Sequence, residues 1–207
     1  MIISITLLIL ASYLVGSIPT AYIVGRLAKG IDIRKHGSGN VGASNVFRVI
    51  GKKWGTAVLA FDMLKGFIPA YFFPFFISAD PKIIGLILGV AAIAGHNWPL
   101  FLNFKGGKGV ATMAGVFLGI LPKAVLAASV VWILVVLFTN YIAVGSMVAG
   151  FSTAIFICLF YRDIAGFKFL LSTSLLLAFL VVYMHRSNID RLRKGIEHKV
   201  FKKKKPS

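Results

Sequence analysis

The chain has 207 residues, 58% of them hydrophobic, and sets 23 Lys and Arg against 6 Asp and Glu, a formal net charge of +17 at pH 7. Only 14% of the residues are charged, against about 25% in a soluble domain, which excludes a water-soluble globular protein. The basic residues interrupt long apolar runs, so they point to anionic headgroups or small phosphate esters and not to nucleic acid. The single Cys158 lies in an apolar run, which excludes an internal disulfide and argues against a metal cluster.

Apolar runs predict seven membrane spans, at 2–27, 54–77, 83–98, 109–121, 124–138, 142–161 and 167–184, and so an all-α polytopic fold. The first run has no basic segment before it and no small-residue cleavage site after it, and is read as a retained helix. Pro122-Lys123 marks either a tight turn between two short spans or a kink in one long helix. With seven spans, loop 26–53, loop 99–108 and the tail from Arg186 share one side and hold 18 Lys and Arg, whereas Lys82, Lys123, Arg162 and Lys168 lie opposite. The positive-inside rule then places the N-terminus outside and the C-terminus in the cytoplasm; six spans would set the basic tail opposite the basic first loop. Trp54, Trp98, Tyr141, Tyr161 and Tyr183 fall near span ends, where amphipathic rings anchor.

Between the first two spans runs His36-Gly-Ser-Gly-Asn-Val-Gly-Ala-Ser-Asn-Val-Phe-Arg48, containing Gly-x-Gly-x-x-Gly. It lacks the strand and βαβ context of a dinucleotide fingerprint. Its glycines do permit backbone N–H groups to converge as an anion nest, with Ser and Asn side chains as further donors. In the second span, Asp62 and Lys65 are spaced i,i+3 and are read chiefly as a structural ion pair.

After the third span, which Pro99 ends, comes Lys105-Gly-Gly-Lys-Gly109 leading into the next apolar run. Two ammonium groups and several free N–H donors at a helix N-terminus favour an anion. This is not a Walker A loop, because Gly109 stands at the Ser/Thr position. Past the last span, His185, Asn188 and Leu192 share a face if that helix continues, and Glu197 follows. His185 and Asp190 also fit a His-x4-Asp pattern, a short match without the soluble domain that would house such a dyad. The segment from Lys199 is read as a disordered basic strip held by anionic lipid. No nucleophile elbow or metalloprotease motif is present, which implies chemistry without a covalent enzyme intermediate.

Together these segments resemble the bacterial acyl-phosphate:glycerol-3-phosphate acyltransferases, small integral membrane enzymes. The likeness runs through Gly16-Ser-Ile-Pro-Thr20, Gly37 to Asn45 with Arg48, Asp62-Met-Leu-Lys-Gly66, Gly95-His-Asn-Trp-Pro99, Phe104 to Thr112, and His185, Asn188, Arg191, Gly195 and Glu197. Ser44, Ala143 and Asp190 depart from the residues common there. The resemblance implies one acyltransferase domain over 1–198 with a basic tail over 199–207, in the bacterial inner membrane, with its site on the cytoplasmic side. Acyl transfer would run from acyl-phosphate to the 1-hydroxyl of glycerol 3-phosphate, with no cofactor and no metal. It names Arg48, Lys108 and His185 as candidate catalytic residues. Candidate substrate contacts are Ser38, Asn40, Asn45, Lys105, Gly106, Gly107, Gly109, Thr112, Ser146 and Asn188, with Glu197 as a structural anchor. Implied partners are the two substrates, anionic membrane lipids and the enzyme that makes the acyl-phosphate. A transporter would instead show repeated halves around a midplane site, and no such repeat is evident.

Overall fold

The computed structural model describes residues 2–201, and all the regular structure among them is helical. The helices are α1 (Ile2–Ser17), α2 (Thr20–Lys29), α3 (Ala43–Val49), α4 (Lys52–Tyr71), α5 (Pro81–Asn97), α6 (Val110–Ile120), α7 (Pro122–Thr139), α8 (Ile142–Phe160), α9 (Phe167–Met184) and α10 (Arg186–Arg193). Among the described residues six stretches are long and apolar enough to cross a membrane: Ile5–Lys29, Lys52–Phe76, Pro81–Leu102, Pro122–Thr139, Ile142–Phe160 and Phe167–Met184. The predicted fourth span, α6, has 11 residues and so reaches about 16 Å, short of a hydrocarbon core of about 30 Å. Leu121, at φ −139° and ψ 60°, breaks the helix between Ile120 and Pro122, so the two apolar runs are not one continuous helix.

Local chemistry sets the helix ends. Pro19, lacking an N–H, separates α1 from α2. Gly30 closes α2 in the left-handed region, φ 65°, with its N–H on the carbonyls of Arg26 and Gly25. Asp80 caps α5 by accepting from the N–H groups of Lys82 and Ile83, with Pro81 at the first helical position.

The chain divides into two compact units, one ending at Pro122 and the other beginning at Lys123. In the first, α4 packs on α6 and on α5, and α1 on α5. These crossings are sealed by glycines set against backbone: Gly16 on Ala92, Gly66 on Thr112, Gly85 on Ala70 and Gly115 on Met63, with no room for a Cβ at any of them. Between helices in lipid there is little hydrophobic drive, so close backbone approach and dispersion hold such pairs. An apolar cluster of Ala21, Ile33, Val41, Val46, Val58 and Leu102 then ties the segments after α2 and α5 to the helices.

In the second unit α8 packs on α9, and hydroxyls inside its apolar helices are locally satisfied. Ser129, Ser152 and Thr153 each return their hydroxyl to the carbonyl four residues back. Asn140, left-handed at φ 66°, holds the end of the described chain: its carbonyl accepts from Val200 N–H. Its amide gives and receives one bond each with the backbone of Phe201, at 2.9 and 2.6 Å. Of the basic strip expected from Lys199 onward, Val200 and Phe201 make these contacts, and residues 202–207 lie outside the described residues.

Candidate functional site

Both glycine motifs belong to the first unit, and the fold brings them together. Val41 from the first loop and Leu102 from the turn before the second are buried in one cluster. The same two residues line one pocket with Ser17, Lys65, His96 and Pro99.

The first loop is organised by Asn45, which is 1% exposed. Its Oδ1 accepts from Ser38 N–H at 2.9 Å, and its Nδ2 faces the carbonyls of Ile33, His36 and Asn40 at 3.0–3.2 Å. Gly37 and Gly39 take positive φ, 61° and 72°, and Gly37 also has Asn45 Oδ1 where a Cβ would stand. The anion nest expected here is therefore turned inward, since Ser38 N–H is committed to Asn45 and Gly39 N–H to His36 O. Asn45 shapes the loop from inside. The groups presented outward are the side chains of Ser38 and Asn40, both partly exposed, and Arg48, exposed in the last turn of α3.

At the entry to the loop, Asp32 pairs with Arg34 at 2.7 Å and accepts its backbone N–H. The Arg34 guanidinium holds the Asp32 carboxyl down at about 2. Arg26 and Arg34 both lie over the Tyr22 ring.

The second loop rests on the end of α5. Gly106 N–H donates to Asn97 O at 3.1 Å and Gly107 N–H to His96 O at 3.0 Å. Two of the free donors expected in this loop are thus already used, and the glycines contribute thinness instead. A Cβ on Gly106 would meet the carbonyl oxygens of His96 and Asn97, one on Gly107 the His96 imidazole, and one on Gly109 the Asn97 amide. Lys105 is exposed and Lys108 partly so, whereas Thr112, in the first turn of α6, is fully buried beneath the loop. Val110 and Ala111 begin α6, so the positive end of its dipole lies beside the two lysines. Just before Lys105, Asn103 and Phe104 both take positive φ, 51° and 59°, costly for a bulky side chain and a form of strain that clusters at functional segments. The anion-binding capacity of both loops consequently rests on side-chain cations and the α6 N-terminus.

Beneath the second loop lies a polar group of side chains inside the helices. Asp62 Oδ1 receives Lys65 Nζ at 2.8 Å and Thr20 Oγ1 at 2.5 Å, and Lys65 also donates to Ile18 O at 3.1 Å. The pairing of Asp62 with Lys65 is as the spacing predicts. The sequence reading gave no part to His96, Asn97 or Ser17, although Gly-His-Asn-Trp-Pro stands out as polar text at the end of an apolar run.

In the second unit, α9 stops at Met184 and α10 starts at Arg186, so the last helix does not run straight on. His185, 4% exposed, donates from Nδ1 to Val181 O at 2.8 Å. Asn188 Nδ2 donates to Glu197 Oε1 at 2.8 Å and Arg191 Nε to Glu197 Oε2 at 2.6 Å, so Glu197 anchors Asn188. Asp190 pairs with Lys194, both largely exposed. With His185 Nδ1 on a backbone carbonyl and Asp190 on a lysine, no His–Asp dyad forms. Ser146 is 3% exposed and bonded to Ile142 O and Trp132 Nε1, a link between α7 and α8. Among the described residues no group of His, Cys, Asp and Glu could hold a metal ion.

Comparison with known proteins places this geometry. The family profile described as Glycerol-3-phosphate acyltransferase matches residues 6–195. A glycerol-3-phosphate acyltransferase of Bacillus velezensis is 44% identical over 196 residues, covering 95% of this chain and 97% of its own. The crystal structure of PlsY (YgiH), an integral membrane glycerol 3-phosphate acyltransferase, superposes in its glycerol 3-phosphate form with a TM-score of 0.86 and 37% identity over 96% of each chain. Its lysophosphatidic acid form gives 0.82 and 38% over 95% of each. The chain belongs to the glycerol-3-phosphate acyltransferase family.

Proposed function

We propose that this member of the glycerol-3-phosphate acyltransferase family takes its acyl group from an acyl-phosphate and delivers it to the 1-hydroxyl of glycerol 3-phosphate, giving lysophosphatidic acid and inorganic phosphate. The observation that carries the reading is the joining of two basic, glycine-containing loops through Val41 and Leu102 in one unit. Arg48, Lys105 and Lys108 there supply charge for phosphate groups, and neither loop carries the Gly-x-Ser-x-Gly elbow of an enzyme that works through a serine ester. An acyl-phosphate is a mixed anhydride and needs no such ester: the hydroxyl oxygen bonds to the acyl carbon, the carbon–oxygen bond to phosphate breaks, and the proton leaves to a phosphate oxygen or to His185. The enzyme's work is then to position two anions and neutralise them.

In this proposal Lys108 and Arg48 stabilise the developing phosphate charge, and Ser38, Asn40 and Lys105 orient the substrates. Gly106, Gly107 and Gly109 keep the second loop thin over α5. The second unit enters through its motif, with His185 as candidate proton acceptor and Asn188 as a candidate contact. The charge balance of 18 against 4 supports one shared side for both glycine loops and the tail, an external N-terminus and a cytoplasmic site in the bacterial inner membrane; short as α6 is, this arrangement needs the chain leading into it to complete a seventh crossing. The basic tail suits anionic lipid, and the acyl-phosphate-producing enzyme is the natural supplier.

Supplying palmitoyl-phosphate and, separately, palmitoyl-CoA with labelled glycerol 3-phosphate tests the donor; acylation from the thioester alone would overturn the reading. Lys108→Ala and Arg48→Ala are each expected to cost on the order of 100-fold in kcat, and near wild-type rates would remove the proposed charge stabilisation. For His185→Ala, a large fall in kcat at unchanged affinity assigns it the proton, whereas a loss confined to affinity assigns the proton to the phosphate.

A further inference from the structure

We infer that His96 is a positioning residue for the glycine loop, held in place by the buried Asp62–Lys65 pair. His96 fixes Gly107 twice: its carbonyl accepts the Gly107 N–H at 3.0 Å, and its imidazole fills the space that a Cβ on Gly107 would need. Wherever the ring moves, the loop moves with it.

The orientation of that ring is set from the other side. His96 Nδ1 points inward, 3.7 Å from Asp62 Oδ1, and is buried without a hydrogen-bond partner among the described residues. Asp62 is itself held by Lys65 and Thr20, and Lys65 by the Ile18 carbonyl. Ser17 Oγ is likewise buried and unpartnered, and Ser17, Lys65 and His96 line one small pocket of about 10 Å3. A buried ion pair stabilises a fold less than apolar side chains of equal volume, and inside a span it is costlier still. Its placement one contact beneath the loop gives it a use: it aims the imidazole, and the imidazole seats Gly107.

The inference rests on the proposed function only in taking the glycine loop as part of the phosphate site. Wild type and variants are purified in detergent and assayed with palmitoyl-phosphate and palmitoyl-CoA in parallel. Which donor turns over tests the function; the ratios between variants, taken with the donor that does, test the positioning. His96→Phe keeps a ring without nitrogens and is expected to melt close to wild type yet lose on the order of 100-fold in kcat/KM. His96→Asn, which retains a polar group near Nδ1, is expected to recover about tenfold of that loss. Replacing Asp62→Asn and Lys65→Met together leaves no unpaired charge, and in that background the two His96 substitutions are expected to give equal rates.

A His96→Phe rate within about threefold of wild type, or an advantage of His96→Asn that persists without the ion pair, would overturn the inference. Should His96→Phe fail to fold, Asp62→Asn/Lys65→Met on the native histidine decides: about a tenfold fall in kcat/KM at unchanged melting supports it, and no fall sinks it.

Discussion

The loop over 36–45 is held from within, by the amide of Asn45 reaching four backbone groups. The loop over 105–109 is held from beneath, by two carbonyls at the end of α5. The first arrangement fails when a side chain is removed; the second fails when one is added. Two loops with similar glycine content in one unit are therefore anchored differently: Gly37 both turns the chain and lies against Asn45, whereas Gly106 and Gly107 serve close approach alone.

The largest effect expected from this contrast is at Gly107, whose φ is not positive, so only the His96 imidazole forbids a Cβ. Gly107→Ala should lower kcat/KM on the order of 100-fold, because the loop must lift from its seat. Adding His96→Ala makes room for the methyl; melting temperature should recover while activity does not, and full recovery of activity would reduce the contact to packing. Next, Asn45→Ala leaves Ser38 N–H and three carbonyls without their partner, at about 1–3 kcal/mol for each group that stays buried. Thermal unfolding should show a loss of several kcal/mol, and a loss under about 1 kcal/mol would mean that the loop re-forms without its hub.

A smaller effect of opposite sign is expected at Phe104→Gly, which relieves a left-handed phenylalanine by about 1 kcal/mol. Melting should rise slightly, and a fall would show that the exposed ring, not its backbone, matters there. The smallest concerns pH. The Asp32 carboxyl is held at about 2 by Arg34, below its unfolded value near 3.9. Whatever stability the pair adds is thus complete above about pH 4 and lost as pH falls toward 2. Because Arg34 is open to solvent the change should be slight; Asp32→Asn should flatten it, and an unaltered acid limb would assign the dependence elsewhere.

Much of this was legible in the chain. The span from 167 to 184 coincides with α9, and most other predicted ends fall within two or three residues of a helix end, because apolar run length and Pro or Gly punctuation are local signals. The positions of Arg48, Lys105 and Lys108 in two loops of one unit follow from the motifs. What the residues did not reveal is where the backbone donors point. Glycines permit a nest, but whether Gly106 and Gly107 offer their N–H groups to a ligand depends on His96 O and Asn97 O, partners that only tertiary packing brings near. Asn45 and Ser146, expected as substrate contacts, are buried and bonded within the fold, a use that residue type alone does not reveal. His96 went unassigned because its partner Asp62 lies 34 residues earlier, on another helix.

The clasp at Asn140 bears on how the protein can be handled. Since Val200 and Phe201 are bonded to it by three backbone and amide contacts, a purification tag or fluorescent fusion belongs after Phe201. A truncation at residue 199 would strip the end of α7 of its partners while sparing every motif. Chains ending at 199 and at 201 should then differ in yield and shelf life, even where their initial rates agree.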